Sequence, residues 1–322
     1  MYEDKLPARK HMLRKWFQTQ LDSVMTRSQI EQNTHTIEDL EREQHQKEQK
    51  IREAIIALDP EKSIFKRTHY LLRQYGLKFT LECVFRNLGI DVDSTIKYPI
   101  KGLKVRIGQH APAWKLRLET DKWDELPCLK FLSDVIKEGD TILDVGAHYG
   151  MYTLFFAKLT QGQVYAFEPD LKAAHTLCNN VEKNSLTNVH VEKTALNDVV
   201  GEFTLRCHEM GDTGASLLPN RYSNESDLKE ITVKTNTIDK YCKENGVIPN
   251  GIKIDVEGAE ASVITGALNV IKKYHPWILL EFHSGFMSEK DAQENWHMII
   301  ASAKKVVFLC GYSLRFHTFI QY

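Results

Sequence analysis

Two short apolar runs, joined by a segment of helix length, constrain the fold of this chain more than any other feature. The first run, residues 141–145, is followed by a turn that contains Gly146 and Gly150. The second run, residues 164–167, ends at the acid Glu168. This pattern predicts a strand, a glycine turn, a helix and a second strand capped by a carboxylate, which is the unit that begins a doubly wound α/β sheet.

The same unit predicts a cofactor. In such a sheet the glycine turn lets a ligand approach the backbone, and an acid at the end of the second strand can accept hydrogen bonds from both hydroxyls of a ribose. The spacing from Gly150 to Glu168 is close to the roughly 20 residues expected for one helix and one strand. Asp144 and Ala147 would face the same crevice, although a helix cap is the alternative for Asp144 and a surface turn for Glu168. The sequence therefore predicts an adenosine-containing cofactor.

Composition excludes several classes of protein. With 322 residues, 42% of them hydrophobic and 26% charged, the chain has room for one large domain plus an appendage, or for two modest domains. The formal net charge of −1 gives no general argument for a nucleic-acid partner. Six cysteines without CxxC spacing argue against a zinc site or a disulfide framework. There is no apolar signal core and no run of about 18 apolar residues, so we expect a cytoplasmic protein without a membrane span.

Three regions are expected along the chain, namely residues 1–59, 60–119 and 120–322. The first is rich in Glu, Gln, Lys and Arg, and its apolar residues follow an imperfect heptad repeat. We expect a helical, coiled-coil-like segment that joins copies of the chain into a homo-oligomer or tethers it to a partner; a solvated single helix and a disordered segment are the alternatives. The second region is expected to hold an apolar helix over 61–90 and a β-hairpin over 96–119 that turns near His110.

The third region alternates between strand and helix patterns. Strands are expected at 141–145, 164–167, 189–192, 252–255 and 277–282, with further strand-like runs at 202–206 and 231–235. Helices are expected at 126–137, 150–159, 170–184, 237–245, 259–273 and 289–303. Residues 306–320 indicate a closing antiparallel hairpin that turns at Gly311. The predicted fold class is α/β, with a doubly wound, mostly parallel seven-stranded sheet and a C-terminal antiparallel hairpin.

Acids and one histidine are predicted at the carboxyl edge of this sheet. Asp255 ends the fourth main strand and Glu257 follows in the turn, whereas Glu281 and His283 end the fifth strand two residues apart and therefore on one side of it. We expect Asp255, Glu281 and His283 to meet around a substrate hydroxyl. A general base is the favoured role, because histidine is well matched to accept a proton near neutral pH. A divalent metal site and structural hydrogen bonding are the alternatives, and we assign no metal ligand.

Two further segments are candidates for ligand contact. Asn197 and Asp198 follow the third strand, where a side chain or a backbone amide can read the edge of an adenine, although an ordinary Asn-Asp turn is nearly as good an explanation. The polar loop 211–219 is expected to close over the crevice, with Ser216 in the loop and Arg221 just after it near the acceptor. Loop flexibility conferred by its glycines is the equally plausible alternative.

An ordered series of motifs extends these expectations. The series covers residues 120–310 and runs through ILDVGAHYGMYT, YAFEPD, NVHVEKTALND, GASL, TIDKY, IKIDVEGAE and LLEFH. In this order the motifs resemble the FkbM family of S-adenosylmethionine-dependent methyltransferases, which belongs to the Rossmann-like class. The resemblance implies methyl transfer to a hydroxyl, often that of a sugar or a polyketide-like product.

The resemblance also implies roles for individual positions. The cofactor S-adenosyl-L-methionine would be bound by Asp144, Gly146, Ala147, Gly150, Glu168, Asn197 and Asp198. The catalytic residues would be Asp255, Glu281 and His283. The acceptor, a sugar or glycan hydroxyl, would be contacted by Glu257, Ser216 and Arg221.

Other functions fit parts of the same sequence. A nicotinamide-dependent oxidoreductase is the nearest enzymatic alternative, although GxGxxG is absent after the first strand and a closing hairpin is unusual for that class. A coiled-coil scaffold protein with an inactive methyltransferase domain is a second alternative. A protein or lipid acceptor in place of a sugar is a third.

Overall fold

The computed structural model describes residues 94–108, 125–208, 210–211, 214–218, 228–312 and 315–322. The chain forms two compact units, of which one comprises residues 27–123 and the other comprises residues 1–26 together with 124–322. The predicted coiled-coil segment over 1–59 and the predicted helix over 61–90 lie outside the described residues.

A β-hairpin is the described part of the unit formed by residues 27–123. Strand β1 (Ser94–Lys97) pairs antiparallel with β2 (Lys104–Ile107). The chain reverses at Lys101 and Gly102, which both have positive φ. The turn of this hairpin therefore precedes β2, and Gly102 supplies the left-handed backbone that a tight turn requires. The predicted turn near His110 lies outside the described residues.

The other unit is built on a seven-stranded sheet. The strands of this unit, in chain order, are β3 (Ile142–Val145), β4 (Val164–Phe167), β5 (Val189–Glu192), β6 (Ala195–Leu196), β7 (Gly201–Cys207), β8 (Lys229–Asn236), β9 (Gly251–Ile254), β10 (Trp277–Phe282), β11 (Lys305–Tyr312) and β12 (Arg315–Gln321). The main sheet has the order β11-β12-β10-β9-β3-β4-β5, and β12 is antiparallel to both of its neighbours. The pairs β10/β9, β9/β3, β3/β4 and β4/β5 are parallel. The predicted α/β class, with a mostly parallel sheet and a C-terminal antiparallel hairpin, is confirmed.

Helices connect these strands and cover the sheet. They are α1 (Leu126–Val135), α2 (Met151–Thr160), α3 (Leu171–Lys183), α4 (Ile238–Asn245), α5 (Glu260–Thr265), α6 (Leu268–Tyr274) and α7 (Glu289–Ile300). Side-chain oxygens of Asp170, Thr237 and Ser288 accept backbone N–H groups at the starts of α3, α4 and α7. The single helix predicted over 259–273 is two helices in the structure, because the first ends before Gly266 and the second begins at Leu268. A Cβ at Gly266 would lie 2.1 Å from the backbone oxygen of Asn197, so this contact requires glycine.

The core lies between the sheet and its helices. Strands β3, β9 and β10 are buried along their whole length. Their apolar side chains join one buried cluster with residues of α4, α5, α6 and α7, including Ile254, Val263, Phe282 and Trp296. Because these strands are packed on both faces, the carboxyl edge of the sheet is the place where their polar residues can meet a ligand.

A small sheet and the closing hairpin complete the unit. Strand β8 lies between β6, to which it is parallel, and β7, to which it is antiparallel, so the strand-like runs at 202–206 and 231–235 are confirmed. The closing hairpin does not turn at Gly311, which lies inside β11 with φ of 111°. A Cβ at this position would lie 2.5 Å from Cα of Phe316, so the glycine permits the close approach of β12.

Candidate functional site

The candidate site is a crevice at the carboxyl ends of β3, β4 and β9. Strand order reverses at β3, since β4 and β5 follow on one side of it and β9 lies on the other. Ligands of open α/β sheets bind at such a reversal. The crevice encloses about 630 Å³, including its part open to solvent, and its described lining includes Gly146, Glu168, Leu196, Leu217 and Asp255.

Glu168 is held in place by the backbone around it. Its Oε2 accepts the N–H of His148 at 2.8 Å, and its Oε1 accepts the N–H of Asp170 at 2.8 Å. His148 has φ of 49°, in the left-handed region that residues other than glycine rarely adopt. Each carboxylate oxygen retains the capacity for a second hydrogen bond, so the group can accept two more donors without moving. Burial raises the pKa of Glu168 to about 7, against the two backbone hydrogen bonds that lower it.

The glycines of the turn after β3 lie close to other parts of the protein. A Cβ on Gly146, which has φ of 76°, would lie 1.8 Å from the backbone oxygen of Asp255. A Cβ on Gly150, which has φ of 92°, would lie 2.4 Å from Cδ1 of Leu177. Gly146 lines the crevice, and its close contact with the backbone of Asp255 requires glycine, whereas Gly150 lies against a leucine side chain outside the described lining.

Asp144 and Ala147 lie beneath the crevice. Asp144 is fully buried, and its Oδ2 accepts the hydroxyl of Thr153 at 2.6 Å. The N–H groups of Gly146 and Ala147 both donate to the backbone oxygen of Phe167 at 3.0 Å, which fixes the turn to the end of β4. Neither Asp144 nor Ala147 is among the described residues that line the crevice. Both residues therefore shape the crevice from behind its surface.

Lys253 is a residue whose role the sequence analysis missed. It lies on β9, is 4% exposed, and its Nζ is 3.4 Å from Oδ1 of Asp144 and 3.4 Å from Oδ2 of Asp255. The same ammonium donates to the backbone oxygen of Gly146 at 2.9 Å. Burial lowers the pKa of Lys253, but Asp255 and Asp144 outweigh burial and raise it above its ordinary value. The signal for this role was a lysine between two isoleucines in a strand that is otherwise apolar.

The segment after β5 does not bring its polar residues to the crevice. Ala195 and Leu196 line the crevice, whereas Asn197 and Asp198 are not among its described lining residues. Asn197 is buried, with its N–H donating to Asn236 at 2.9 Å, and Asp198 is exposed. The crevice wall after β5 is therefore apolar and consists of Ala195 and Leu196.

The predicted acidic and histidine residues do meet. One ligand atom from each of Asp255, Glu281 and His283 falls within a group whose members lie within 4.8 Å of one another. Asp255 and Glu257 line the crevice, with side chains 25% and 18% exposed. Glu281 and His283 are 2% and 1% exposed and lie behind them. The structure therefore divides the cluster into a solvent-facing pair and a buried pair.

Glu260 orients the histidine. Nδ1 of His283 lies 2.8 Å from Oε1 of Glu260, and Nε2 lies 3.4 Å from Oε2 of Glu257 and 3.6 Å from Oε1 of Glu281. The imidazole also stacks on Phe286, with ring centroids 5.3 Å apart. Burial lowers the pKa of His283, but Glu260, Glu281 and Glu257 outweigh burial and raise it to about 9. The imidazole therefore carries a proton at neutral pH.

The buried carboxylate Glu281 has cations on its other side. Arg315 donates to its Oε1, and Nε2 of His317 lies 3.2 Å from its Oε2. Although burial raises the pKa of Glu281, His317 and Arg315 hold it well below its usual range. Asp255 differs, because burial and the neighbouring Glu281 raise its pKa to about 7. Asp255 is thus a carboxylate of this cluster that can exchange a proton near neutral pH.

Part of the loop after β7 borders the crevice, since Ala215 and Leu217 are among its lining residues. Tyr149 donates its hydroxyl to the backbone oxygen of Gly211, and the N–H of Gly211 donates to Oδ2 of Asp170 at 2.8 Å. The hydroxyl of Ser216 is fully buried and donates to the backbone oxygen of Glu257 at 2.6 Å. Ser216 thus anchors the loop, in contrast to the predicted contact with the acceptor. Arg221 lies outside the described residues.

Comparison with known proteins decides the family. The methyltransferase FkbM domain matches residues 144–314, which is more than half of the chain. The chain belongs to the FkbM methyltransferase family. The predicted resemblance is confirmed, and the nicotinamide-dependent oxidoreductase is excluded as an alternative.

Relatives of this FkbM methyltransferase act on different substrates. The hexuronic acid methyltransferase AglP of Haloferax volcanii is 26% identical over 174 residues, which are 53% of this chain and 66% of AglP. A ribosomal protein L11 methyltransferase of a Thermoanaerobacter species is 37% identical over 76 residues, which are 24% of each chain. The crystal structure of the methyltransferase FkbM from Methylobacillus flagellatus KT has 18% identity and a TM-score of 0.42, over 66% of this chain and 53% of that one. The chain therefore spans two thirds or less of each of these proteins.

The crevice of this FkbM enzyme fits S-adenosylmethionine. Glu168 offers two fixed carboxylate oxygens with remaining acceptor capacity, which suits a ribose diol. Phe167, Ala195 and Leu196 form an apolar wall beside it, which suits an adenine ring.

None of the helices in the described part of the chain has the length and the apolar character of a membrane-spanning helix.

Proposed function

We propose that this FkbM enzyme transfers a methyl group from S-adenosylmethionine to a hydroxyl oxygen of a sugar or glycan. The observation that carries the proposal is the position of Asp255, which lines the same crevice as Glu168 and has a pKa of about 7. A base of this strength is suited to a hydroxyl acceptor, which must lose its proton during attack. The relationship to AglP, a hexuronic acid methyltransferase, supports a sugar as the acceptor.

The cofactor would be held by three groups of this chain. Glu168 would bind the ribose hydroxyls, Phe167 and Leu196 would contact the adenine, and the fixed backbone around Gly146 would face the methionine portion. When bound, S-adenosylmethionine supplies a methyl group that is already activated by its sulfonium. The protein is therefore required mainly to align the acceptor and to remove its proton, and alignment alone can contribute several kcal/mol.

Asp255 is the residue that would take the acceptor proton. Its side chain is 25% exposed, so an acceptor in the crevice can reach it, whereas His283 is 1% exposed. The protonated His283 lacks the free lone pair that a base needs. We therefore assign the base to Asp255, and we assign to Glu260 and His283 the role of holding Glu257 and Glu281 beside it. This choice narrows the sequence-based hypothesis, which allowed either Asp255 or His283.

We assign no metal ion to this cluster. The spacing of Asp255, Glu281 and His283 is one that a divalent ion can share. However, Lys253 and Arg315 already contact these carboxylates, and a protonated His283 offers no lone pair to a metal ion. The proton transfer proposed for Asp255 follows from its own surroundings and requires no further group.

The test is a search for the acceptor by mass. The full chain is incubated with S-adenosylmethionine and a panel of uronic acids, nucleotide sugars and oligosaccharides, and each product is examined for a gain of one CH₂. We expect a methylated sugar with the wild-type enzyme, and loss of the product with Asp255→Asn. A methylated peptide or lipid in parallel reactions, with no methylated sugar, would contradict the choice of acceptor.

The chain would also associate through its N-terminal region. We propose that residues 1–59 form a coiled coil that joins copies of the chain, on the basis of their heptad pattern. In this pattern Ile30, Ile37, Ile51 and Leu58 share one heptad position. Sedimentation of the full chain should show an oligomer, and Ile37→Asp, which places a charge at that position, should shift it to a monomer. A wild-type monomer would contradict the proposal.

A further inference from the structure

Three polar residues cross the last three strands of the sheet in one row. Glu281 of β10 is paired with His317 of β12, and His317 is paired with Cys310 of β11. Partners in antiparallel strands direct their side chains to the same face, so the three side chains lie side by side. The row begins at the buried carboxylate beside the proposed base Asp255 and ends at a thiol.

A bulge in β11 creates the last step of this row. Phe308 pairs with Thr318, but Cys310 rather than Leu309 pairs with His317, so one extra residue is inserted between them. A bulge of this kind re-aims the side chain that follows it. Without the extra residue, Leu309 would be opposite His317 and Cys310 would face the other side of the sheet. The local backbone therefore places the thiol against the histidine.

A second thiol, that of Cys128, lies against Cys310. Cys128 of α1 is fully buried, and its Sγ lies 3.3 Å from Sγ of Cys310. The two residues are 182 positions apart in the chain, so the contact depends on the packing of α1 against the final hairpin. Cys128, Cys310 and His317 form one group in which the sulfur and nitrogen atoms lie within 4.8 Å of one another.

The surroundings make the two thiols unequal. The hydrogen bond from Cys128 lowers the pKa of Cys310 to about 7, with His317 adding to the effect against burial, which raises it. Burial, followed by the contact with Cys310, raises the pKa of Cys128 well above its ordinary value. Cys310 is also partly exposed, whereas Cys128 is not. This is the arrangement of an accessible thiolate with a resolving thiol beside it.

We propose that Cys128 and Cys310 are a thiol–disulfide pair that a peroxide oxidises. The thiolate of Cys310 attacks one oxygen of hydrogen peroxide, the O–O bond breaks, and Cys310 becomes a sulfenic acid while hydroxide leaves and takes up a proton. The sulfur of Cys128 then attacks the sulfenic sulfur, so that the S–S bond forms and water leaves with the thiol proton. Two thiols and one peroxide give one disulfide and two waters, and a dithiol such as dithiothreitol reverses the reaction.

The sulfur separation favours a disulfide over a thiophilic metal. Two thiolates on one tetrahedral zinc ion lie about 3.8 Å apart, because each Zn–S bond is about 2.3 Å long. The observed 3.3 Å is shorter, and the sulfur atoms need to approach by only about 1.3 Å to reach bonding distance. Closing the disulfide also removes the thiolate beside His317, which changes the charge next to Glu281. The oxidation state of the pair is thereby linked to the reaction site.

The experiment reads the bond directly and requires no methyl acceptor, so its outcome is independent of the proposed function. The reduced full chain is treated with a small excess of hydrogen peroxide, alkylated, digested with trypsin without reduction and analysed by mass spectrometry. Cys128 and Cys310 each fall alone in a tryptic peptide, residues 123–130 and 306–315. We expect these peptides to appear as one linked species, lighter by two hydrogens than their sum, which separates on addition of dithiothreitol.

Matched variants locate the bond. Cys310→Ser and Cys128→Ser should abolish the linked peptide, and Cys178→Ser, which removes another partly exposed thiol, should preserve it. Wild-type protein in which both peptides stay alkylated after peroxide treatment would overturn the proposal. Purified protein that carries one equivalent of zinc, lost in Cys128→Ser and in Cys310→Ser alike, would overturn it as well.

Discussion

Glu260 accepts a hydrogen bond from Nδ1 of His283 across 2.8 Å, with both side chains buried. The same Oε1 atom of Glu260 also accepts the N–H of Gly258 at 2.8 Å. The carboxylate thus connects the turn after β9 to the histidine after β10, and it fixes which nitrogen of the imidazole faces Glu257 and Glu281. Glu260, which does not line the crevice, therefore contributes most to keeping His283 protonated.

Replacing Glu260 with glutamine should lower the pKa of His283 from about 9 by more than one unit, because the largest charge that raises it is removed. The imidazole signal of His283 followed by NMR between pH 5 and pH 10 measures this change. Glu244→Gln, which alters an exposed carboxylate paired with Lys240, is the matched control and should leave the titration in place. An unchanged His283 pKa in Glu260→Gln would contradict the assigned role.

The same pair predicts how stability depends on pH. The folded pKa of His283 is raised above its ordinary 6.5 to about 9, so its stabilising effect is complete below pH 6.5 and is lost as pH rises through 9. The shift corresponds to about 3 kcal/mol. Urea unfolding at pH 6 and pH 9.5 should show a larger loss of stability in the wild type than in Glu260→Gln. Equal losses in the two proteins would show that His283 is not charged by Glu260.

Glu168 predicts that cofactor affinity depends on pH. Ribose hydroxyls donate to an ionised carboxylate, and the pKa of Glu168 is about 7, so affinity should fall by up to about tenfold for each pH unit below 7. Calorimetry with S-adenosylhomocysteine, which lacks the sulfonium charge, isolates this effect. Glu168→Gln should weaken binding by about 10- to 100-fold at pH 8 and remove the slope. Asp255→Asn should retain the dependence of affinity on pH. If that dependence disappears in Asp255→Asn, it arises from Asp255 and not from Glu168.

Replacing Asp255 should reduce turnover without reducing cofactor binding. With an acceptor in hand, Asp255→Asn should reduce kcat by about 10²- to 10⁴-fold, the usual contribution of a general base. The wild-type rate should rise with pH through about 7, and the variant should lack this rise. Glu257→Gln, at the same lip of the crevice, should lower the rate less and retain the pH profile. Normal turnover by Asp255→Asn would remove it as the base.

The turn after β3 offers a test of backbone packing. Gly146→Ala should destabilise the fold by several kcal/mol or prevent folding, because its Cβ would overlap the backbone oxygen of Asp255. Gly246→Ala is the control, since Gly246 has a similar φ of 66° but no atom within 4 Å of an added Cβ. That change should cost about 1–2 kcal/mol, the price of left-handed backbone alone. Similar unfolding free energies for the two variants would show that the contact with Asp255 does not require glycine.

The sequence predicted most of the sheet because its strands are short, apolar and separated by helices. Strands β4, β5 and β10 begin and end where they were predicted to. It failed at positions where tertiary contacts decide the local structure. Gly266 packs against the backbone oxygen of Asn197 and Gly311 against Phe316, so neither contact follows from the local sequence pattern.

The site was predicted in the same uneven way. Glu168 and Asp255 could be found because an acid directly after an apolar strand faces the carboxyl edge of the sheet. The contacts of Glu260 with His283 and of His317 with Glu281 were not predicted, because the partners are distant in sequence. The pairing of Cys128 with Cys310 was likewise invisible to spacing rules, since a bulge and a helix from another part of the chain create it.

Lys253 connects Asp144, a buried carboxylate beneath the crevice, with the proposed base Asp255. Its Nζ lies 3.4 Å from both Asp144 and Asp255, and removing it would leave buried negative charge without a partner. Lys253→Met should therefore destabilise the protein by about 3–5 kcal/mol. It should also raise the pKa of Asp255, because Lys253 lowers it, and so move the rise in turnover to higher pH.

Two further variants separate charge from packing. Lys234→Met replaces an exposed lysine on β8 and should change stability by less than about 0.5 kcal/mol. Adding Asp144→Asn to Lys253→Met should restore part of the lost stability, since one of the unpaired charges is then absent. Denaturant unfolding at pH 8 measures all of these differences. If Lys253→Met is as stable as Lys234→Met, the buried lysine does not hold the two carboxylates together.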